Sequence, residues 1–250
     1  MSREVLTSRQ NPLLQHVKKL LSSRSYREEC GEFAADGTKL LEEAVKWEHG
    51  LCAVIVQQGV PTCALPGSVR VVEVSERLMR EISQMQAPQG AIFVCRLPPQ
   101  AEPRVRTGGI LLDGIQDPGN LGTILRTADA LEIPVFLSEG CADAYSPKTV
   151  RASMGAVFRT PPVTISRQEV VRQCRLYGIP LLATAMSADA SDVRNAPLQD
   201  ALTVIGSEGR GVCEELLAAA DRKIIIPMSE RCESLNAATA ATIVMWQMKR

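Results

Sequence analysis

The sequence predicts an α/β fold in two parts, with a parallel sheet in the second. Three observations carry this. From residue 109 onward, apolar runs of strand length alternate with stretches of helix length. Those runs are nearly continuous in Ile, Val and Leu, as expected when helices cover both faces of a sheet. Ahead of them, "RLPPQAEPRVRTGG" at 96–109 is rich in proline and charge and poor in large apolar residues, which reads as a linker. A first domain is therefore expected at 1–97, a linker at 98–108 and a second domain at 109–250, sizes ordinary for domains.

In the first part, "PLLQHVKKLLSS" (12–23) carries Leu13, Leu14, Val17, Leu20 and Leu21 at helical spacing. "TKLLEEAVKWEHG" (38–50) predicts a second helix, with Gly50 as its C-cap. "LCAVIVQQ" (51–58), "SVRVVEVS" (68–75) and "GAIFVCRL" (90–97) are β-like, and "ERLMREISQM" (76–85) is a third helix. Together they predict a small α/β sandwich. In the second part the strands are "GILLDGI" (109–115), "PVFLS" (134–138), "PVTI" (162–165), "IPLLATAM" (179–186), "LTVIGS" (202–207) and "KIIIPM" (223–228). "LGTILRTADAL", "SPKTVRASMG", "RQEVVRQCRLYG" and "VCEELLAAAD" supply the helices between them.

Composition excludes several classes. The 250 residues are 45% hydrophobic and 22% charged, which fits a globular protein and not a disordered one. No run approaches the roughly 18 apolar residues of a membrane helix. "MSREVLTSRQNP" has no apolar core for a secretory signal, so a cytoplasmic protein is expected. None of the 8 cysteines forms a C-x-x-C pair, and His16 and His49 are the only histidines. A zinc site is therefore hard to assemble, and reduced thiols without a metal are expected. The net charge of zero makes the whole molecule no polyanion trap. Residues 1–27 nevertheless carry Arg3, Arg9, Lys18, Lys19, Arg24 and Arg27 against Glu4 alone. That excess suits phosphate contacts or, equally, a solvated helix face.

Ligands of a parallel α/β sheet bind at the carboxyl ends of its strands, so the loops there hold the chemistry. The first is "LLDGIQDPGNLGTILRTADA". It lacks G-x-G-x-x-G, and the chain has no G-x-x-x-x-G-K-[ST], so a nucleotide-dependent oxidoreductase loses its main support. Asn120 follows a turn and suits an ordinary helix cap as well as a site. Arg126, one to two turns on, is a surface arginine or an anion contact. The second loop, "VIGSEGRGV", places Gly206, Gly209 and Gly211 around Glu208 and Arg210. It suits a flexible turn capped by Ser207 or Glu208, or a main chain that a ligand approaches closely. The third runs from Ile226-Pro227-Met228 through a polar loop into an Ala-rich helix from about Ser234, a plausible N-cap. Ala237, Ala238, Ala240 and Ala241 permit close packing on another element or on a second subunit. Ile243, Val244 and Trp246 want burial.

Taken together, the three loops resemble the signature motifs of the SpoU (TrmH-like) branch of the SPOUT RNA methyltransferases. Asn120, Gly122, Arg126 and Ala128 match the first motif. Gly206, Glu208, Gly209 and Gly211 match the second. Ile226, Pro227, Met228, Ser234, Leu235 and Asn236 match the third. The N-terminal "SRQNPLLQHVKKLL…FAADGTKLLEEAV" resembles the family's RNA-binding domain of ribosomal-protein L30e-like fold, with Asp36 where relatives tend to have Glu. Two departures stand in the third motif. Ala237-Ala238 replaces the usual Val-Ser, and "SERCE" lacks the glycine often found there.

The resemblance implies a C-terminal parallel-sheet methyltransferase domain tied in a trefoil knot. It implies S-adenosylmethionine as donor, held by the backbone of Gly206, Ile226 and Leu235, with Thr184, Met228 and Gly211 completing that site. The acceptor is a ribose 2′-hydroxyl, in ribosomal RNA or else transfer RNA. Arg126 would contact the target phosphate and the developing oxyanion. Asn120, Glu208, Ser234 and Asn236 would position Arg126 and the nucleotide. A homodimer is implied, and no metal is needed, because the leaving group is already activated. Few aromatics (4%) argue against base stacking of the RRM type. The contrasting class is a non-catalytic RNA-binding or ribosome-assembly protein of the same fold; the intact motif residues argue against it.

Overall fold

The computed structural model describes residues 4–99, 102–229 and 231–250. Arg3 of the basic segment, Gln100 and Ala101 of the linker, and Glu230 of the last loop lie outside the described residues. In chain order the elements begin with β1 (Glu4–Leu6), α1 (Pro12–Ser22), α2 (Arg24–Cys30), β2 (Glu32–Asp36), α3 (Thr38–Lys46), β3 (Leu51–Gln57), β4 (Arg70–Val74), α4 (Glu76–Ile82) and β5 (Ala91–Arg96). There follow β6 (Gly109–Asp113), α5 (Pro118–Ala130), β7 (Val135–Leu137), α6 (Pro147–Ala152), α7 (Ala156–Arg159), β8 (Val163–Thr164) and α8 (Arg167–Tyr177). The chain ends with β9 (Leu181–Thr184), β10 (Ser191–Asp192), β11 (Leu202–Gly206), α9 (Glu214–Ala219), β12 (Arg222–Ile225) and α10 (Ala237–Met248).

The chain forms two compact units, Met1–Pro99 with Tyr145–Arg159, and Gln100–Ala144 with Thr160–Arg250. In the first, a five-stranded sheet runs β1-β4-β3-β5-β2. β3 and β4 pair in parallel, and β5 pairs antiparallel with both β3 and β2. α1 starts where Asn11 accepts the Leu13 N–H and Pro12 takes the first turn. Its stripe of Leu14, Val17, Leu20 and Leu21 is buried against the sheet's apolar face. α3 ends at Lys46 with Trp47 as its C-cap. Gly50 is therefore not the cap; it sits three residues beyond, next to β3. Arg27 is 5% exposed and donates to the Leu20 carbonyl at 2.5 Å. Part of the basic segment thus serves the fold and not a phosphate.

In the second unit all seven strands are parallel, in the order β10-β12-β9-β11-β6-β7-β8. Its apolar strands are covered on both faces, as their composition requires. Leu111, Leu202 and Val204 pack with Val170 and Cys174 of α8 and Leu216 of α9. The alternate positions Ile110, Leu112 and Ile205 point to the other face. There α10 lies on β11 and α5. Ala237, Ala238 and Ala241 are buried within this unit, so these small side chains serve close packing inside the chain. Ser234 is not the cap of α10: Asn236 is, its side-chain oxygen accepting the N–H groups of Ala238 (2.9 Å) and Thr239 (3.3 Å). Val244 is buried, whereas Trp246 is 65% exposed. No described helix is long and apolar enough to cross a membrane.

Candidate active site

The carboxyl ends of β9, β11 and β12 open into a cleft of about 440 Å³. Its walls are built from the ends of these strands and the segments that leave them. β9 ends at Thr184, whose hydroxyl donates to the Val204 carbonyl at 3.0 Å. β11 ends at Gly206 and turns through a tight hairpin. Ser207 and Gly211 exchange both main-chain hydrogen bonds, at 3.1 and 2.9 Å. A Cβ on Gly206 would stand 2.0 Å from the Gly211 carbonyl carbon and 2.2 Å from the Val212 nitrogen. Only glycine lets the hairpin fold back there. Gly211 has φ +67°, a left-handed conformation that favours glycine for a different reason. Ile226 and Met228 follow β12, and Ser234 and Leu235 precede α10. All six donor-site candidates, Gly206, Ile226, Leu235, Thr184, Met228 and Gly211, line this one cleft, together with Glu208 and Ser234.

A hydrogen-bonded chain of side chains joins the three loops. Asp117 caps α5 by accepting the Asn120 N–H at 2.8 Å, and Pro118 fills the first helical position. Asn120 is therefore not the helix cap, and its side chain is free to act elsewhere. Its amide N–H donates to the Glu208 carboxylate, and its amide oxygen accepts from Asn236 Nδ2 at 3.0 Å. Asn236 uses its own oxygen to start α10, so the helix fixes the direction of its N–H groups. Neither Ser207 nor Glu208 caps α9; that place is held by Cys213.

Two candidates stand outside this network. Ser234 is exposed in the cleft wall and makes no hydrogen bond to a described residue. Arg126 lies six residues along α5 from Asn120, about 9 Å of helical rise. Its side chain is exposed and has no hydrogen bond or ion pair with a described residue. It is not positioned by Asn120, Glu208, Ser234 or Asn236 within the chain; its guanidinium remains available to an anion.

The structure adds residues that the sequence did not single out. Asp113 ends β6 directly across from Gly206 and is 3% exposed. One of its oxygens accepts from Ser138 Oγ (2.7 Å) and Arg167 Nε (2.8 Å), and the other accepts the Cys213 N–H (2.8 Å). Burial opposes its charge, but the bonds from Ser138, Cys213 and Arg167 outweigh burial and hold the carboxyl below the ordinary carboxylate pKa. Arg167 also donates to the Glu139 carbonyl at 3.0 Å. Among the described residues, no group of three His, Cys, Asp or Glu side chains could hold a metal ion.

A model of the SpoU rRNA methylase family matches residues 109–246, and one of an MRM3-like substrate binding domain matches residues 11–92. The chain is 30% identical over 234 residues to the 23S rRNA (guanosine(2553)-2'-O)-methyltransferase RlmP of Bacillus subtilis (strain 168), covering 92% of this chain and 94% of that one. It is 32% identical over 265 residues to a 23S rRNA (uridine(2479)-2'-O)-methyltransferase of Streptomyces viridochromogenes, covering 98% and 91%. Its structure is similar to that of an AdoMet-bound rRNA methyltransferase from Sinorhizobium meliloti, with a TM-score of 0.85 at 28% identity over 98% and 97% of the two chains. With residues of the second and third motifs lining one cleft, Asn120 of the first bonded to both, and likeness running over nearly its whole length, the chain belongs to the SpoU rRNA methylase family.

Proposed function

We propose that this protein transfers the methyl group of S-adenosylmethionine to a ribose 2′-hydroxyl of large-subunit ribosomal RNA. The observation that carries the reading is the chain Glu208–Asn120–Asn236 at the edge of a cleft lined by all six donor-site candidates. The two relatives named above act on a guanosine and on a uridine, so what their targets share is the ribose and not the base.

The cleft fits the donor. Its volume lies in the range of roughly 300–1,000 Å³ usual for small-molecule sites, and its walls are mainly apolar with a few polar groups. Main-chain groups of Gly206, Ile226 and Leu235 hold the adenosine, with Thr184, Met228 and Gly211 closing the walls. The bound donor supplies a methyl group already activated by its sulfonium. What the chain must add is alignment of the hydroxyl and stabilisation of the charge that grows on its oxygen. Glu208 and Asn120 hold one another in fixed directions, and Asn236 locks them to α10. Ser234 in the wall and Arg126 on α5, neither bonded to a described residue, remain to contact the nucleotide. Arginine does not readily give up its proton, so Arg126 acts through charge and hydrogen bonds and not as a base.

The first unit is the RNA-binding part, supported by its match to a substrate-binding family. Arg9, Lys18 and Lys19 carry the phosphate contacts that Arg27, buried in the fold, does not. A cytoplasmic location is part of this reading, supported by the bacterial relatives that act on 23S rRNA. The trefoil knot is supported by the match to the SpoU family and by the likeness to a solved rRNA methyltransferase.

The active form is a homodimer. Arg126 does not line the cleft of its own chain, which leaves room for a second copy to complete the site. α10 exposes Thr239, Thr242 and Trp246 along one stripe, and an indole 65% exposed at its end asks for cover. Ala241 is fully buried, so a charge there tests the fold and not the dimer. Trp246→Glu is the informative variant. Light scattering is expected to show twice the 27.1 kDa chain mass for the wild type and a shift toward the single chain for the variant. A wild type of single-chain mass at micromolar concentration overturns the dimer.

Incubation with labelled methyl donor and total RNA tests the function itself. Label is expected in large-subunit ribosomal RNA, at a mapped 2′-O-methyl position. Label confined to transfer RNA, or none despite donor binding, overturns the proposed acceptor.

A further inference from the structure

We propose that Asp113 is a positioning residue for the donor site, holding the exit of the Gly206–Val212 hairpin through the Cys213 N–H. This rests on the methyl-transfer reading above. The hairpin supplies two donor-site walls, Gly206 and Gly211, and the carboxylate of Glu208 that holds Asn120. Such a loop needs both of its ends fixed. Its entry is fixed by the fold-back at Gly206, where the main chain of Gly211 and Val212 lies too close for any Cβ. Its exit is fixed one residue later, where Cys213 donates to Asp113 at 2.8 Å.

Asp113 suits this task because of where it sits. It pairs in register with Gly206 on the neighbouring strand, so it stands beside the point where the hairpin leaves the sheet. Its other oxygen is tied by Ser138 after β7 and by Arg167 at the start of α8. The carboxylate therefore ties the hairpin to two further segments, the residue after β7 and the start of α8. A buried carboxylate with three donors from three segments is costly to desolvate and has no contact with the cleft itself. A neutral side chain could fill the same space, and what the charge adds is direction at the Cys213 N–H.

Asp113→Asn separates direction from size. Its amide keeps one acceptor, which the charged Arg167 claims, and turns an N–H toward the Cys213 N–H. The hairpin exit must then shift. Cys213→Pro removes the same bond from the other side while leaving Asp113 intact, and the Cys213 φ of −66° already suits a proline ring. Both variants are expected to raise the KM for S-adenosylmethionine by about tenfold or more, the scale of losing a hydrogen bond to a charged group. The KM for RNA should stay near wild type. Ile110→Val, a buried change on the same strand, lowers the melting temperature but is expected to leave both KM values unchanged. Calorimetry with S-adenosylmethionine alone gives an independent readout. If Asp113→Asn and Cys213→Pro fold and bind the donor as tightly as the wild type, the positioning role is lost. If Asp113→Asn does not fold, Cys213→Pro decides alone. A wild type that binds no donor rejects the methyl-transfer reading instead, which is a separate result.

Discussion

Arg126→Ala is expected to lower methyl transfer by roughly 10²–10³ while leaving S-adenosylmethionine binding close to wild type. Both halves of this expectation come from the position of the side chain. Arg126 does not line the donor cleft, so the donor loses no contact when the guanidinium goes. It is exposed on α5 and bonds to no described residue, so the fold should lose little. A cation that pairs with no described residue, on the same helix as Asn120 in a protein with a ribose–phosphate acceptor, has its natural partner in the RNA. If it stabilises charge that develops only during transfer, the loss falls on the rate and not on donor affinity. Arg126→Lys should recover little, because an ammonium cannot offer the planar fork of a guanidinium. Single-turnover transfer from labelled donor, with calorimetry alongside, separates the two effects. Near-wild-type activity in both variants would make Arg126 an ordinary surface residue.

The parts legible in the sequence were those with strong local pattern. β6 and β11 are unbroken apolar runs, and their burial on both faces follows directly. β2 was not legible, because Glu32-Phe33-Ala34-Ala35-Asp36 has low strand propensity. It is a strand because its ladder with β5 overrides that preference. Sequence alone starts α10 two residues early: Ser234 and Asn236 are both capping types, and only the path of the loop selects Asn236. The release of Asn120 from capping had a signal, since Asp117-Pro118 is itself a start signature that leaves Asn120 inside the first turn. Asp113 had no such signal. Its partners Ser138, Arg167 and Cys213 lie 25, 54 and 100 residues away, and one aspartate at a strand end looks like any other. The burial of Arg27 was hidden for the same reason: its acceptor is a main-chain carbonyl seven residues back, across a helix boundary.

Gly206→Val is expected to abolish measurable donor binding, and Gly206→Ala is expected to do nearly the same. On sequence grounds a branched side chain at Gly206 would intrude on the adenosine, and alanine would then be the milder change. The structure gives a different cause. The first atom of any side chain at Gly206 meets the chain's own main chain, 2.0 Å from Gly211 C and 2.4 Å from Gly211 O, before any ligand is considered. Backbone cannot move aside as the end of a flexible side chain can, so the hairpin must open. Opening it displaces Gly211 from the cleft and Glu208 from Asn120 together. The neighbouring glycines supply the scale. A Cβ on Gly209 meets nothing within 4 Å and Gly209 has no left-handed φ, so Gly209→Ala should bind donor like the wild type. Gly211→Ala also has open space but must adopt φ +67°, a strain of about 1–2 kcal/mol, and should fall between the other two. Calorimetry with S-adenosylmethionine and thermal melting on the three alanine variants test this order directly. Wild-type affinity in a folded Gly206→Ala protein would show that the hairpin tolerates a side chain there, and the fold-back at Gly206 would no longer account for its glycine.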